Sequence, residues 1–375
     1  MGRLRRSCFH LVFFVAILLP PQAVFTQQNQ ARPDSVVTDF FRRTSGQIAS
    51  DGGFSVPLKN GGTLWLMGDS HIDDYDPKTN TVPCLFQVRN AGLLQMAGGW
   101  DKQTAQTLTG KGPGIKSYIK NRDDDTYFCW PFSGIQTGNT ILVYNNSLVK
   151  KDDGPFGFAQ SGADFWARIS YPGMQVQGFL PIADFGGINF GSGFIRVPGD
   201  PLIYAYGFRF NPKIMGCEVY IARFAEKKPS EWTFWNGKTW QKDVKKAKII
   251  TSQSNVSGTL QVSRIGGQIV ILTSEFSMDC DMGKQIFVSS AKKITGPFSE
   301  KKSIYSIPDR YKGHSPFFYA ANAHPQFIND RNEVLITYAI NGYGKCADVC
   351  ENGRMDPDQY RLKAIRVPLP LLLGR

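Results

Sequence analysis

Short apolar and aromatic segments alternate along the chain with turns rich in glycine, asparagine and aspartate. In the stretch DGGFSVPLKNGGTLWLMGDSHID, residues 51–73, two such segments flank the turn KNGG, and acidic side chains stand at both outer ends. Short β-branched and aromatic runs bounded by turn residues are typical of β-strands, so this stretch predicts a hairpin. No window of about 15 residues keeps a clean helical period, which argues against a helical architecture.

Four further stretches repeat this hairpin pattern, and their starts lie roughly 50 to 80 residues apart, as in propeller blades with insertions. They are FCWPFSGIQTGNTILVYNNSL (128–148), INFGSGFIRVPGDPLIYAYGFRF (188–210), SGTLQVSRIGGQIVILTSEFSMD (257–279) and AHPQFINDRNEVLITYAINGYG (323–344). A third strand is predicted after each hairpin, in RNAGLLQMA, FWARISYP, CEVYIARF, KQIFVSSAKK and YRLKAIRVPL.

The pattern therefore predicts an all-β chain, folded as a five-bladed β-propeller with four-stranded antiparallel blades. We expect this single domain to occupy residues 37–375, after a signal peptide at 1–26 and a short linker at 27–36. A two-sheet sandwich is the main alternative, but five similar hairpins at such wide spacing suit it poorly.

The N-terminus has the composition of a secretory signal. Arg3, Arg5 and Arg6 precede the apolar run LVFFVAILL at 11–19, which is too short to span a bilayer. We expect cleavage near residue 26 and a periplasmic or extracellular protein with no stable membrane anchor; an uncleaved anchor is the alternative.

Six of the seven cysteines remain once Cys8 leaves with that segment, and an exported protein can form disulfides. Cys346 and Cys350 are close enough in sequence to pair within a loop, so a local disulfide is predicted there. The motif CADVC lacks a second ligand pair, and zinc is not expected.

Cleavage would lower the formal net charge from +12 to +9. A basic secreted protein can favour an acidic polymer, although the lysine-rich segments can equally serve solubility. No nucleic-acid-binding module is recognisable, so nucleic acid is not an expected partner. We expect a monomer that binds a polysaccharide or oligosaccharide.

Propeller geometry indicates where these strands would form a site. The second strand of a blade runs antiparallel to the inner strand, so inner-strand starts and second-strand ends meet around one central opening. The residues predicted to converge there are Asp51, Asp69, His71, Trp130, Asn146, Arg209, Glu275, His324 and Asn341.

A family resemblance is carried by SDGGFSVPL with TLWLMGDS, EWTFWNGKTW, QIFVSSAKKITGPF, and AHPQF followed by LITYAIN. From about residue 37 to 368 the chain resembles secreted five-bladed propellers of the families named domains of unknown function 4185 and 5005. More distantly it is similar to family-forty-three glycoside hydrolases. The resemblance implies a carbohydrate-active protein whose site lies in the central depression.

Glycoside hydrolysis needs one protonated and one ionised carboxyl group beside the scissile bond. By position, the resemblance implies that Asp51 is the general base. Glu275, at the end of the strand ILTSE, is the candidate acid, and Asp69 is a modulator or an alternative catalytic residue. The distant family's modulating aspartate has no clear equivalent in the middle blade, where only Asp184 lies nearby.

Each of these residues also has a structural interpretation. Asp51 could cap a turn before Gly52 and Gly53, Trp130 could belong to a blade core, and His324 could be a core histidine. Glu218 is expected to form a cross-strand ion pair. No cofactor is required, although oxygen ligands at the axis would allow a central Ca²⁺.

Three functions stay open from the sequence. A glycoside hydrolase acting by carboxylate acid/base catalysis is the first, because the strand ends differ from blade to blade and suit one central site. A non-catalytic, lectin-like propeller is the second. A polyuronate lyase is the third, with Arg209 neutralising the uronate and His71 or Tyr343 as base.

Overall fold

Five antiparallel sheets surround one axis, which confirms the predicted five-bladed propeller. The computed structural model describes residues 30–151, 157–342 and 348–374. The five predicted third strands are confirmed. Tyr343 and Cys346 lie outside the described residues, as does the predicted signal peptide.

From the axis outwards, the strands of each blade follow one another in nearly the order of the sequence. Blade one contains Gln47–Pro57, Thr63–Ile72, Ala91–Gln95 and Gln106–Leu108. Blade two contains Tyr127–Thr137, Thr140–Lys150, Phe165–Ser170 and Val176–Pro181, with Phe158–Gln160 beside its second strand. Blade three contains Asn189–Arg196, Leu202–Asn211, Gly216–Ala225, Trp232–Trp235 and Trp240–Gln241, with Thr251–Gln253 beside its third strand.

Blade four contains Val256–Ile265, Gln268–Glu275, Gln285–Ala291 and Lys302–Ser306. Blade five contains Phe317–His324, Glu333–Asn341, Leu362–Pro368 and, outermost, Arg32–Pro33. A separate two-stranded sheet pairs Val82–Pro83 with Arg354–Met355. The helices are Ser35–Phe40 and Leu369–Leu373, with 3₁₀ turns at Val244–Lys246, Pro325–Phe327 and Pro357–Gln359. No helix of the described segments is long and apolar enough to cross a membrane.

The second strand of each blade explains the apolar runs in the sequence. Thr63–Ile72 is buried along its whole length, and Glu333–Asn341 is buried except at its last residue. A strand covered on both faces by neighbouring blades needs apolar side chains at nearly every position, so it does not alternate. Large aromatic residues fill the space between blades: the Trp166 ring of blade two lies 6.1 Å from that of Trp232 in blade three.

Blade five is completed by the N-terminal end of the described chain, so the ring closes between distant parts of the sequence. Arg32–Pro33 lies in the segment predicted to be a linker, and it pairs with the strand Leu362–Pro368. Arg32 forms an ion pair with Glu333 at 2.6 Å, and Arg366 forms another with Asp34 at 2.7 Å. The propeller therefore begins before residue 37.

A disulfide crosses the boundary between blades one and five, which we call the seam. Cys84 is bonded to Cys350, 266 residues later in the chain. The predicted bond between Cys346 and Cys350 is wrong, because Cys350 pairs with a loop of blade one instead. Sequence proximity favoured the local pair, whereas ring closure brings the distant loop to Cys350.

The pairing of each inner strand with the second strand is interrupted by a β-bulge. Pairing with the second strand breaks between residues 50 and 54, 131 and 134, 189 and 193, 256 and 260, and 319 and 322. A bulge leaves residues out of the ladder and bends the strand. The five bulges therefore release some residues of every inner strand, Asp51 among them, from regular pairing.

The disulfide gives a testable prediction. Cys84→Ser should lower the free energy of unfolding by about 2–4 kcal/mol, because the bond constrains a very long loop in the unfolded chain. Denaturant unfolding of the single variant and of Cys84→Ser/Cys350→Ser should give the same value. A non-reduced digest that lacks the peptide joining Cys84 to Cys350 would contradict this pairing.

Candidate active site

Asp51 lies inside the inner strand of blade one, not at its start as the sequence predicted. The strand begins at Gln47, and Asp51 stands at the bulge, followed by Gly52 and Gly53 at φ values of 84° and 79°. Residues other than glycine rarely adopt this backbone conformation. The two glycines thus form a strand bulge that redirects the chain, and the turn-cap interpretation of Asp51 does not describe this geometry.

A third glycine makes room for the Asp51 carboxylate. Gly68 lies in the second strand, and a Cβ atom added to it would stand 2.0 Å from Asp51 Oδ1. That distance is far below van der Waals contact. The Asp51 carboxylate therefore lies directly over the backbone of Gly68, the residue that precedes Asp69.

Three donors stabilise the Asp51 carboxylate. The hydroxyl of Tyr319 donates to Asp51 Oδ2 at 2.7 Å. Tyr360 also hydrogen-bonds the carboxylate, and the backbone N–H of Asp69 donates to it. Both tyrosines belong to blade five, so the Asp51 carboxylate faces the seam.

Asp69 is held from the opposite side, by blades one and two. Trp130 Nε1 donates to Asp69 Oδ1 at 3.1 Å, and an Arg89 guanidinium nitrogen lies 3.4 Å from Asp69 Oδ2. The Arg89 guanidinium also lies 4.2 Å from the ring centre of Phe128 and 4.9 Å from that of Phe86. These cation–π contacts fix the arginine beside the carboxylate.

Both carboxyl groups have a pKa above the ordinary value for aspartate. Burial raises the pKa of Asp51, and the donors from Tyr319 and Tyr360 offset part of this rise. Burial and the negative charge of Asp51 raise the pKa of Asp69 to about 8, against the opposing effect of Arg89. Two neighbouring carboxyl groups cannot easily ionise together. At neutral pH the pair therefore retains one proton.

Aromatic side chains flank the carboxyl pair. Trp130 meets Phe158 edge to face at 4.9 Å, and Phe317 stacks on Tyr319 at 4.6 Å. Asn146 is the ladder partner of Trp130. Aromatic faces of this kind are suited to stacking against flat, partly apolar ligands such as sugar rings.

Asn341 and His71 support the tyrosines. Asn341 hydrogen-bonds Tyr319. His71 is almost fully buried; its Nδ1 lies 2.8 Å from Asp74, and its ring meets that of Tyr360 edge to face at 6.2 Å. His71 thus lies behind Tyr360 and positions it, whereas the sequence suggested direct substrate contact.

Glu275 is not among the groups around Asp51 and Asp69. Its Oε2 accepts hydrogen bonds from the backbone N–H groups of Lys284 and Gln285, at 2.7 and 3.1 Å. The carboxylate therefore fixes the start of its own blade's third strand. Asp184, which lies nearest to the expected position of a modulating aspartate in the middle blade, is exposed and accepts a hydrogen bond from the backbone of Gly186 at 2.9 Å.

Arg209 is also engaged within its own blade. It forms an ion pair with Glu218 at 2.8 Å and donates to the Tyr220 hydroxyl at 2.7 Å. The predicted cross-strand ion pair of Glu218 is thereby confirmed. Arg89, and not Arg209, supplies the cation beside the carboxyl pair.

His324 lies deeper in the channel than Asp51. Its Nδ1 bonds Ser55 at 2.6 Å, its Nε2 bonds Thr337 at 2.8 Å, and burial lowers its pKa to about 3. It ends the inner strand Phe317–His324, whereas the sequence pattern suggested that this strand began at 323. The residue is a buried histidine with both ring nitrogens satisfied, and the bond to Ser55 helps to close the seam.

Three residues of the site were missed by sequence reasoning: Arg89, Tyr319 and Tyr360. A positional signal exists for two of them. Arg89 stands two residues before the third strand of blade one, and Tyr360 stands two residues before the third strand of blade five. Tyr319 was missed because the inner strand of blade five was predicted to begin too late.

Within the described part of the chain, no group of three or more His, Cys, Asp or Glu side chains could hold a metal ion.

Comparison with known proteins places the fold. The family described as "Domain of unknown function (DUF5005)" matches residues 34–368. A candidate hydrolase from Bacteroides ovatus is 17% identical, with a TM-score of 0.70 over 90% of this chain and 89% of that one. An α-L-arabinofuranosidase from Lactobacillus brevis is 10% identical, with a TM-score of 0.50 over 88% and 93% of the two chains. No curated protein matches the chain. At these identities, the solved structures show the fold alone.

Gly68→Ala tests how closely the carboxylate approaches the second strand. The new Cβ would overlap Asp51 Oδ1, so we expect a loss of about 1–3 kcal/mol in the free energy of unfolding. Gly99→Ala is the matched control, because nothing lies within 4 Å of a Cβ there. Denaturant unfolding that shows equal stability for the two variants would disprove this close approach.

The pH dependence of stability tests the shared proton. The pKa of Asp69 is higher in the folded protein than its ordinary value of 3.8, so folding binds a proton at intermediate pH. The contribution of Asp69 to the free energy of unfolding is fully present at low pH. It is lost as the pH rises through about 8. Asp69→Asn should therefore gain melting temperature relative to wild type between pH 5 and 8, by about 2–4 °C.

Asp330→Asn is the control for that measurement, since it removes the same charge from an exposed turn. Its melting temperature should follow that of wild type across the same pH range. Parallel curves for wild type and Asp69→Asn would show that the pair does not share a proton.

Proposed function

Since the chain belongs to the DUF5005 family, whose name gives no reaction, we propose from the site itself that the protein hydrolyses a glycosidic bond at the central depression. The observation that supports this is the pair Asp51 and Asp69: two neighbouring carboxyl groups whose pKa values are both raised, with aromatic side chains beside them. One protonated and one ionised carboxyl group are what glycoside hydrolysis requires.

In this proposal Asp51 is the base and Asp69 the acid. Asp51 accepts hydrogen bonds from two tyrosine hydroxyls and a backbone N–H, all of which favour its ionised form. Asp69 carries the proton, because burial and the charge of Asp51 oppose its ionisation. The two carboxyl groups face different blades: Asp51 is bonded by Tyr319 of blade five, and Asp69 by Trp130 of blade two.

The proton movements balance over one turnover. Asp69 donates its proton to the oxygen of the departing sugar as the glycosidic bond breaks. Asp51 takes a proton from water, whose oxygen bonds to the anomeric carbon. The pair ends with its single proton on Asp51, and exchange with solvent returns it to Asp69.

Elimination from a uronate is less well supported. Arg209, which the sequence assigned to the uronate, is paired with Glu218 instead, and the tyrosines nearest the carboxyl pair are poor candidates for the base of a lyase. Burial and the charge of Asp51 raise the pKa of Tyr319 and Tyr360 well above the ordinary value. Both hydroxyls stay protonated and act as hydrogen-bond donors.

We also propose that the protein works outside the cytoplasm. The Cys84–Cys350 disulfide is typical of oxidising compartments, and the N-terminal sequence has the composition of an export signal.

Asp51→Asn tests the proposal. We expect sugar release to fall by roughly 10² to 10⁴ fold, the range for a lost general base, with a nearly unchanged fold. Reducing-sugar release and product chromatography on arabinan, galactan and polygalacturonate would measure it. Unsaturated products from the wild type would indicate a lyase, and binding of a glycan without any turnover would indicate a lectin.

Glu275→Gln is the matched control for the choice of acid. It removes the carboxylate that binds the backbone of Lys284 and Gln285, so its main effect should be on stability, about 1–2 kcal/mol. Activity within a few-fold of wild type is expected. A loss as deep as that of Asp51→Asn would restore Glu275 as the acid.

A further inference from the structure

A trough leads away from the carboxyl pair along the junction between blades one and two. It consists of two cavities of about 430 and 560 Å³, and both are lined by Lys116, Ser117 and Lys120. The smaller cavity is also lined by Arg89, which contacts Asp69. Neither Asp51 nor Asp69 lines the trough, and Arg89 is the residue that links its smaller cavity to the candidate active site.

Cationic side chains dominate the described lining of the trough. The lining contains two acidic residues, Asp123 and Asp125, and six basic ones. The basic residues are Arg89, Lys111, Lys116, Lys120, Arg122 and Lys150. Lys120 pairs with Asp125 at 2.9 Å, and this acid is largely exposed. Within the described chain, Lys111 and Lys116 form no ion pair. The trough is positively charged where it leaves the site.

The segment that carries these lysines is fastened to both blades. Asn90 donates to the carbonyl oxygens of Ile119 and Cys129 at 2.9 and 3.0 Å, and it accepts from the Ile119 N–H at 2.8 Å. Tyr118 donates to the Met174 carbonyl at 2.8 Å. Lys116 and Lys120 therefore project from a backbone that is fixed on both sides, which lowers the entropic cost of binding a ligand between them.

We propose that this trough binds the anionic groups of an acidic polysaccharide, carboxylates or sulfates, while the neighbouring glycosidic linkage lies at Asp51 and Asp69. This inference rests on the proposed glycosidase function, and it adds the substrate class. Arg89 would contact the anionic group nearest the cleaved bond, because its hydrogen bond to Asp69 uses a single guanidinium nitrogen. The lysines further along would attract the following units.

The test compares two double variants that remove the same charge. Lys116→Gln/Lys120→Gln alters the trough, whereas Lys245→Gln/Lys246→Gln alters an exposed 3₁₀ turn of blade three. Both are made in the full chain carrying Asp51→Asn, so that binding is measured without turnover. The ligands are an oligogalacturonate hexamer, a sulfated oligosaccharide of similar length, a neutral galacto-oligosaccharide and a single-stranded DNA hexamer.

Calorimetry should show that at least one acidic glycan binds tenfold or more tightly than the neutral one. The trough variant should lose about tenfold in affinity for that acidic glycan, and its salt dependence should become shallower. The blade-three variant should bind like its parent. The acidic glycan that binds, carboxylated or sulfated, identifies the anionic group.

Three results would overturn the inference: equal affinity for acidic and neutral glycans, equal effects of the two double variants, or binding of the DNA hexamer as tight as that of the glycan. The two proposals fail separately. Lysine-dependent binding of an acidic glycan that the wild type does not cleave would refute hydrolysis alone. Cleavage of a neutral glycan by the wild type, at a rate unchanged when Lys116→Gln/Lys120→Gln is made in the chain that keeps Asp51, would refute the acidic substrate alone.

Discussion

The seam between blades one and five is the constraint on which the rest of the molecule depends. A disulfide crosses this boundary, and beside it two ion pairs and a completed sheet within blade five join segments from opposite ends of the chain. Arg361 of blade five also donates to the carbonyl oxygens of Ile48 and Arg43, at 2.9 and 2.6 Å. Because Tyr319 and Tyr360 reach Asp51 across this seam, an opened ring would leave the carboxylate without two of its donors. Closure of the fold and assembly of the site are thus the same event.

The site is built at a cost in stability that the closed ring tolerates. The buried Asp69 lies next to the partly buried Asp51, and the Asp51 bulge uses backbone conformations that only glycine adopts easily. Burial of such groups is unfavourable unless donors compensate. Tyrosine, tryptophan, arginine and a backbone N–H supply that compensation from three blades. Sites that keep buried acids in this way commonly exchange stability for function.

The fold could be predicted from the sequence because blade structure depends on local patterns. Short apolar runs such as QIVILTSE identify the hairpins and third strands. Asp51 and Asp69 could be predicted to lie close together because they belong to one hairpin. The contacts across the seam could not be predicted in this way. Tyr319 lies 268 residues from Asp51, and Cys350 lies 266 from Cys84. A shift of six residues in the start of one inner strand was enough to select His324 and to miss Tyr319.

The distribution of charge around the ring explains why the site is asymmetric. In blades three and four the polar groups near the same end of the second strands satisfy one another: Arg209 pairs with Glu218, and Glu275 holds the backbone of its own third strand. In blades five, one and two the corresponding groups point across blade boundaries, from Tyr360 to Asp51 and from Trp130 to Asp69. Groups that are satisfied within a blade add rigidity but present little to a ligand. Groups shared between blades surround a common space, and a ligand there would contact three consecutive blades, while the cationic trough continues from the same side of the ring.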